Sequence, residues 1–387
     1  MKIVYFDNSA TTKISERALN KLNEIAREHY GNPSSLHALG LDGEKNLESA
    51  RAIIAKSLGV ERYVRGEIIF TSGGTESNNI AILGTAFAKK RRGNEKILTT
   101  EGEHSSVSEP LAILEKQGFN IVRVPTKNGI LDLDFVRENA SGVILATFMH
   151  VNNETGALYD IKSAFEIVKR MSPEAVCHTD CVQSYLKVKF TKKSLGADLI
   201  SISSHKVNGP KGVGALYVSP EIIKAKKLSP IIYGGGQEEN LRSGTENVYS
   251  ICAFGEAVRE HMENSPREQE ELSLLRQYIV DGIERIDGVK VNKPQKNAPH
   301  IVNITVKGIR SETLLHFLSS KGIYVSSGSA CASNSQKKIS PALLGFGLDR
   351  DSIDSSVRIS LSCENTRDEA DLLFDALTEA INKLVKK

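Results

Sequence analysis

The sequence predicts an α/β fold in which a large, mostly parallel sheet is flanked by helices and a smaller α+β unit stands beside it. Three observations lead there. The chain has 387 residues, 40% of them apolar and 25% charged, and at roughly 100–200 residues per domain that length accommodates two cores. Seven short β-rich runs alternate with helical stretches, several as unbroken apolar runs of the kind a parallel sheet buries on both faces. Past about residue 262 that alternation stops, and a hairpin-like pair, helices and one further strand follow.

Taken in order, the first dozen residues end in the polar NSATTK and are expected to cross back to the second unit. From about Ser15 to Gly59 apolar residues recur three and four apart, which predicts helix, interrupted by the turn-rich GNPSS (31–35). The candidate strands are EIIFTS (67–72), KILTTE (96–101), NIVRVP (120–125), GVILATF (142–148), AVCHTD (175–180), LISIS (199–203) and GALYVS (214–219). A helical run near 249–264 and a second, charged helix over 266–285 follow, with the boundary between units around 262–268. VKVNK and HIVNITVKG read as a hairpin-like pair, and two more helices lead to the strand SVRISLS (356–362).

Lys+Arg minus Asp+Glu is 50 − 47 = +3, so charge offers no argument for nucleic acid or a membrane surface as partner. The longest mostly apolar stretch, 142–151, is well short of the ~20 residues that cross a bilayer, and no secretory leader opens the chain. A cytoplasmic protein is expected. Its five cysteines, an odd number for a disulfide framework, start as buried thiols, metal ligands or nucleophiles. CHTDC (177–181) is loosely like a zinc spacing, but without a second pair no metal is expected.

Three segments carry chemistry. EIIFTS runs into GGTESNN (73–79) and then a helix; a strand, a glycine turn holding Gly74 and Thr75, and a helix N-terminus form an anion cradle suited to phosphate. The plain alternative is a tight turn. The spacing is neither a Walker loop nor G-x-G-x-x-G, which disfavours nucleotides. HTDCVQS places Asp180 at a strand's carboxyl end, where it either caps a helix or holds a cationic ring nitrogen, with Gln183 in reach of the ring's substituents. LISIS ends in SHKVNGPKG, where Lys206 is either solvated or held in a crevice, able to lose its proton and form a Schiff base. Phosphate cradle, carboxylate and lysine on successive βα units are what pyridoxal phosphate requires.

At these residues the chain resembles the fold-type-I pyridoxal-phosphate transferases and, within them, cysteine desulfurases of the NifS/IscS-like class. The likeness runs through YFDNSATT (5–12), GNPSSLH, TSGGTESNN, EGEH, MHVNNETG (149–156), HTDCVQS, SSHK, GGGQE, RSGTEN (242–247) and SSGSACAS (326–333). It implies a large cofactor-binding domain over 14–262 with a seven-stranded, mostly parallel sheet. It also implies a small α+β domain of 1–13 and 263–387 carrying a catalytic cysteine loop at about 326–338. By the resemblance, Lys206 holds the coenzyme aldehyde and Asp180 pairs with its ring nitrogen. Gln183 bonds the ring hydroxyl, and His104 stacks on the ring and moves protons. Gly74, Thr75, Ser203 and His205 bind the phosphate, with Thr245 reaching in from the other subunit of a homodimer. Asn153 and Arg358 hold the cofactor side and the carboxylate of the substrate, L-cysteine.

The resemblance makes Cys331 the nucleophile, on a run of small residues that predicts an exposed loop. Its thiolate is expected to attack the substrate sulfur, leaving a persulfide and alanine, the sulfur passing to an acceptor protein for iron–sulfur cluster assembly or tRNA thiolation. The other reading is a cysteine or selenocysteine lyase of the same fold, which releases free sulfide or selenide and does not depend on Cys331. Two features depart from the pattern: Cys363 stands where relatives often have glycine or a basic residue, and the chain stops at INKLVKK, where scaffold-serving relatives commonly continue. Lys337 and Lys338 follow the cysteine loop as a solvated pair or as contacts for an acidic acceptor.

Overall fold

The computed structural model describes residues 3–89, 93, 95–327 and 339–385. Its strands are β1 (Val4–Tyr5), β2 (Ile68–Thr71), β3 (Lys96–Thr100), β4 (Asn120–Val124), β5 (Val143–Met149), β6 (Val176–Asp180), β7 (Leu199–Ser203), β8 (Gly214–Val218), β9 (Val289–Val291), β10 (Ile301–Val306), β11 (Ile323–Tyr324), β12 (Ser326–Ser327) and β13 (Ser356–Ser360). All seven runs expected from the sequence form one sheet, ordered β2-β8-β7-β6-β5-β3-β4. Only β8 runs antiparallel to its neighbours, so the other six strands present their carboxyl ends along one edge. Ligand crevices in open α/β sheets form at that edge.

The unbroken apolar runs have a direct physical reason. Alternate side chains of one strand point to opposite faces, and here both faces are covered. Ile68, Phe70, Ala146, Phe148, Ile200 and Ile202 enter one core, which includes Ile25, Ile54 and Phe165 from helices. Ile69, Leu145, Leu199 and Leu216 enter another, with Ile80, Val107 and Leu111 from helices on the far side.

A separate core joins Val4 and Phe6 to Leu275, Ile279, Val302, Ile304, Val357, Ile359, Leu373 and Leu377. It lies against a four-stranded sheet ordered β12-β13-β10-β9, with β9 and β10 forming the antiparallel pair read from the sequence. β1 pairs in parallel with β11. The two helices expected on either side of Pro266 are one, Val248–Ile283, of 36 residues. A proline inside a helix costs about 3 kcal/mol. Burial at both ends outweighs it: Ile251, Phe254 and Val258 sit in the first core and Leu272, Ile279 and Ile283 in the last.

Residues 7–12 tie the two parts together. Asn8 N–H donates to Ser360 O at 3.2 Å and Thr12 N–H to His205 O at 2.9 Å, while Ser9 N–H donates to Ser360 Oγ at 2.9 Å.

Candidate active site

At the end of β2 the chain turns through Gly73 (φ 152°) into the helix Gly74–Ala88, whose first residue has no side-chain cap. Its leading N–H groups are therefore unspent. Side chains are excluded from this turn on both flanks. A Cβ on Gly74 would come 2.7 Å from Val182 Cγ2, and one on Gly214 would come 2.7 Å from Gly73 Cα. The resulting cleft, about 490 Å³, is lined by Gly74, Thr75, Ser203, His205 and Lys211 among others. Ser203 Oγ is buried there without a partner. His205, whose Nδ1 lies 3.1 Å from Thr11 Oγ1, has its pKa pushed down to about 4 by burial and by Lys206, Lys211 and Lys187. Its neutral ring adds a hydrogen-bonding group. Glu76, the acid nearest this cleft, is turned aside: Arg242 Nε donates to it at 2.7 Å and Ser72 N–H at 2.9 Å. Burial raises its pKa, but these bonds outweigh that and hold it below the usual range.

Asp180 ends β6 and is 7% exposed. Asn78 Nδ2 donates to its Oδ2 at 2.7 Å and Val182 N–H to its Oδ1 at 2.8 Å. His104 caps the helix Ser105–Lys116, accepting from Ser106 N–H at Nδ1 at 3.1 Å. The ring keeps a side open to solvent, yet burial of the rest lowers its pKa, Asp180 opposing and Lys206 adding to the effect. Gln183 Nε2 donates to Ser9 O at 2.9 Å, leaving Oε1 buried and unpartnered. Lys206 follows β7 in a single 3-10 turn, and its Nζ donates to Ser9 O at 2.6 Å and Ala10 O at 2.7 Å. Lys206 and Gln183 thus meet on one carbonyl of the N-terminal strap.

Arg358, in β13, donates from Nη1 to Asn153 O at 2.9 Å and from Nη2 to Asp7 Oδ1 at 2.8 Å. Its Nε is buried without a partner. Thr245 is exposed and does not line the cleft of its own chain. Cys331, most of the loop expected at 326–338, Lys337 and Lys338 lie outside the described residues. Ser327, the last described residue before them, pairs with Val357, and Ser326 with Arg358. Burial pushes the thiols of Cys181 and Cys252 up to about 12, whereas Cys363 is exposed. Among the described residues no cluster of His, Cys, Asp or Glu is arranged to hold a metal ion.

Sequence reasoning missed Glu103. Its Oε1 accepts from Thr100 Oγ1 at 2.7 Å and from Met149 N–H at 2.9 Å, and Oε2 is enclosed without a partner. Burial pushes the carboxyl up to about 8, Asp180 adding to the rise. An acid beside a site histidine with no nearby base was the available signal.

The residues fit pyridoxal phosphate. Ser203 Oγ and Gln183 Oε1 are buried polar atoms that lack partners, one at a phosphate-sized cradle and one beside a carboxylate suited to a ring nitrogen.

Comparison with known proteins points the same way. The profile of the "Aminotransferase class-V" family matches residues 4–373. A "Cysteine desulfurase IscS" of Clostridium botulinum (strain Hall) is 39% identical over 388 residues, covering 99% of this chain and 95% of the relative. "Cysteine desulfurase IscS 1" of Archaeoglobus fulgidus is 36% identical over 383 residues, covering 98% and 97%. Among solved structures, a "NifS-like protein" superposes with a TM-score of 0.91 at 34% identity, covering 98% of this chain and 100% of that one.

Proposed function

The chain belongs to the class-V aminotransferase family, as a cysteine desulfurase of the IscS/NifS kind that uses pyridoxal phosphate, and we propose that Lys206, Asp180, His104 and Cys331 divide the chemistry among them. One observation carries this reading: Lys206, Asp180 and the Gly73–Gly74 turn stand at the carboxyl ends of β7, β6 and β2, on a single edge of a single sheet.

Bound at that edge, pyridoxal phosphate supplies a cationic ring that withdraws electrons from the substrate's Cα. Gly74, Thr75, Ser203 and His205 would hold its phosphate, with Thr245 contributed by a second copy in a homodimer. Asp180 would keep the ring nitrogen protonated, and Gln183 and His104 would hold the ring itself. Lys206 would hold the cofactor through Nζ and, with L-cysteine bound, would take the Cα proton. Arg358, bonded to the backbone of Asn153, would hold the substrate carboxylate. The Cys331 thiolate attacks the substrate sulfur: an S–S bond forms as the substrate's Cβ–S bond breaks, leaving a persulfide on Cys331 and, after proton return, alanine.

Sulfur then passes from Cys331 to an acceptor protein serving iron–sulfur assembly or tRNA thiolation in the cytoplasm. No helix among the described residues is long and apolar enough to cross a membrane. The division into 14–262 and 1–13 with 263–387 is supported by the separate core that Val4 and Phe6 share with the C-terminal part.

Mass spectrometry after incubation with L-cysteine tests the assignment. A gain of ~32 Da, one sulfur, is expected on the peptide bearing Cys331, and Cys331→Ser abolishes both that gain and alanine formation. Full alanine production by Cys331→Ser would favour a lyase that releases sulfide.

A further inference from the structure

Asp180 and His104 are joined by two residues to which no role has so far been given. Asn78, on the helix Gly74–Ala88, is wholly buried, and Ser106, at the start of the helix Ser105–Lys116, is 6% exposed. Asn78 Nδ2 donates to Asp180 Oδ2 at 2.7 Å and to Ser106 Oγ at 2.8 Å. Ser106 Oγ lies 2.8 Å from His104 Nδ1.

The direction of each bond follows from the chemistry of the groups. A carboxylate only accepts, so the amide must offer its NH₂; the reverse orientation would set Oδ1 against Oδ2 of Asp180. The second amide hydrogen goes to Ser106 Oγ, whose own proton is then available to His104 Nδ1. Ser106 N–H also points at Nδ1, at 3.1 Å. With two donors aimed at it, Nδ1 carries no proton, and the ring's hydrogen sits on Nε2.

We propose that Asn78 and Ser106 are positioning residues: a hydrogen-bond relay diverging from the Asn78 amide, which fixes the Asp180 carboxylate for the cofactor's ring nitrogen and holds His104 as its Nε2–H tautomer. Val182 N–H secures Oδ1 and Asn78 secures Oδ2, so the carboxylate is pinned at both oxygens. The same relay fixes the His104 ring, which would lie against the cofactor. The inference rests on the proposed function, because it assumes that Asp180 meets a ring nitrogen.

The test uses the full-length chain, loaded by titration with pyridoxal phosphate or with the analogue in which carbon replaces the ring nitrogen, and read by absorbance. Asn78→Ala is expected to raise the Kd for pyridoxal phosphate about tenfold or more, the loss of one hydrogen bond to a charged group. Its Kd for the analogue should change less than about twofold, which also reports an intact pocket. Ser106→Ala should weaken pyridoxal phosphate less, and Asn78→Ala with Ser106→Ala should be no worse than Asn78→Ala alone, since Ser106 acts through the amide. Equal weakening toward both ligands, or additive losses, would overturn the relay while leaving the proposed function standing. Failure of the unaltered protein to bind pyridoxal phosphate would overturn both.

Discussion

Glu103→Gln is expected to stabilise the protein progressively as pH rises. The Glu103 carboxyl is pushed up to about 8 in the folded chain from an ordinary value of 4.5. Burial dominates that rise, and the Asp180 charge strengthens it. Between those two values the unfolded chain ionises this group while the folded chain keeps it protonated. The folded state therefore holds the extra proton, and its stability falls as pH increases, by about 1.4 kcal/mol per pH unit. The whole interval amounts to at most about 5 kcal/mol by the same conversion. Glutamine keeps the acceptor toward Thr100 Oγ1 and Met149 N–H and does not titrate. Urea denaturation of both proteins, saturated with cofactor, at pH 5.5, 6.5 and 7.5 should show the variant gaining roughly 1–1.4 kcal/mol on the unaltered protein at each step. Parallel curves, with a difference constant within about 0.5 kcal/mol, would mean that Glu103 is ionised in the folded chain, and the argument for a neutral acid beside Asp180 would fall.

Gly74→Ala places a methyl 2.7 Å from Val182 Cγ2. Overpacking of that kind costs about 1–3 kcal/mol, and because Val182 N–H holds Asp180 Oδ1 cofactor affinity should fall as well; adding Val182→Ala should restore much of both in melting and titration experiments. Arg358→Lys replaces a planar fork with a point charge, so it should raise KM for L-cysteine about tenfold or more, the worth of a charge-assisted bond, with a smaller change in kcat, as steady-state alanine assays would measure. His178 is wholly buried between Thr147 Oγ1 at 2.7 Å and Ser201 Oγ at 3.0 Å, and burial pushes its pKa down to about 3. A depressed histidine withholds a proton that the unfolded chain accepts, so stability should drain away as pH falls from 6.5 toward 3. His178→Gln should flatten that acid limb in circular-dichroism titrations even if it lowers stability at neutral pH.

What was legible in the sequence shares a physical character with what was not. The seven sheet strands could be read because double-sided burial writes itself as consecutive apolar residues, and Thr75, Asp180 and Lys206 because each follows such a run directly. The final helix, Arg367–Leu384, was missed although a local signal was there, a capping box in which Thr366 and Glu369 bond each other's backbone. Contacts made across the chain left no local trace. Ser9 reaches Ser360 over 351 positions and receives Gln183 over 174, so the strap that meets Lys206 could be suspected of crossing back but not of touching the lysine. Asn78 was visible within TSGGTESNN yet looked like one more helix polar residue, because its partner Asp180 lies 102 positions away. Pro266 misled in the opposite sense, since a local rule predicts a break and the two cores at either end of Val248–Ile283 overrule it. Thr75, Asp180 and Lys206, the residues proposed to meet the cofactor that were read first, therefore sit at or just past strand ends, where local sequence announces them. Those that set their protonation and orientation come from elements the fold brings together, and only the geometry of the assembled edge identifies them.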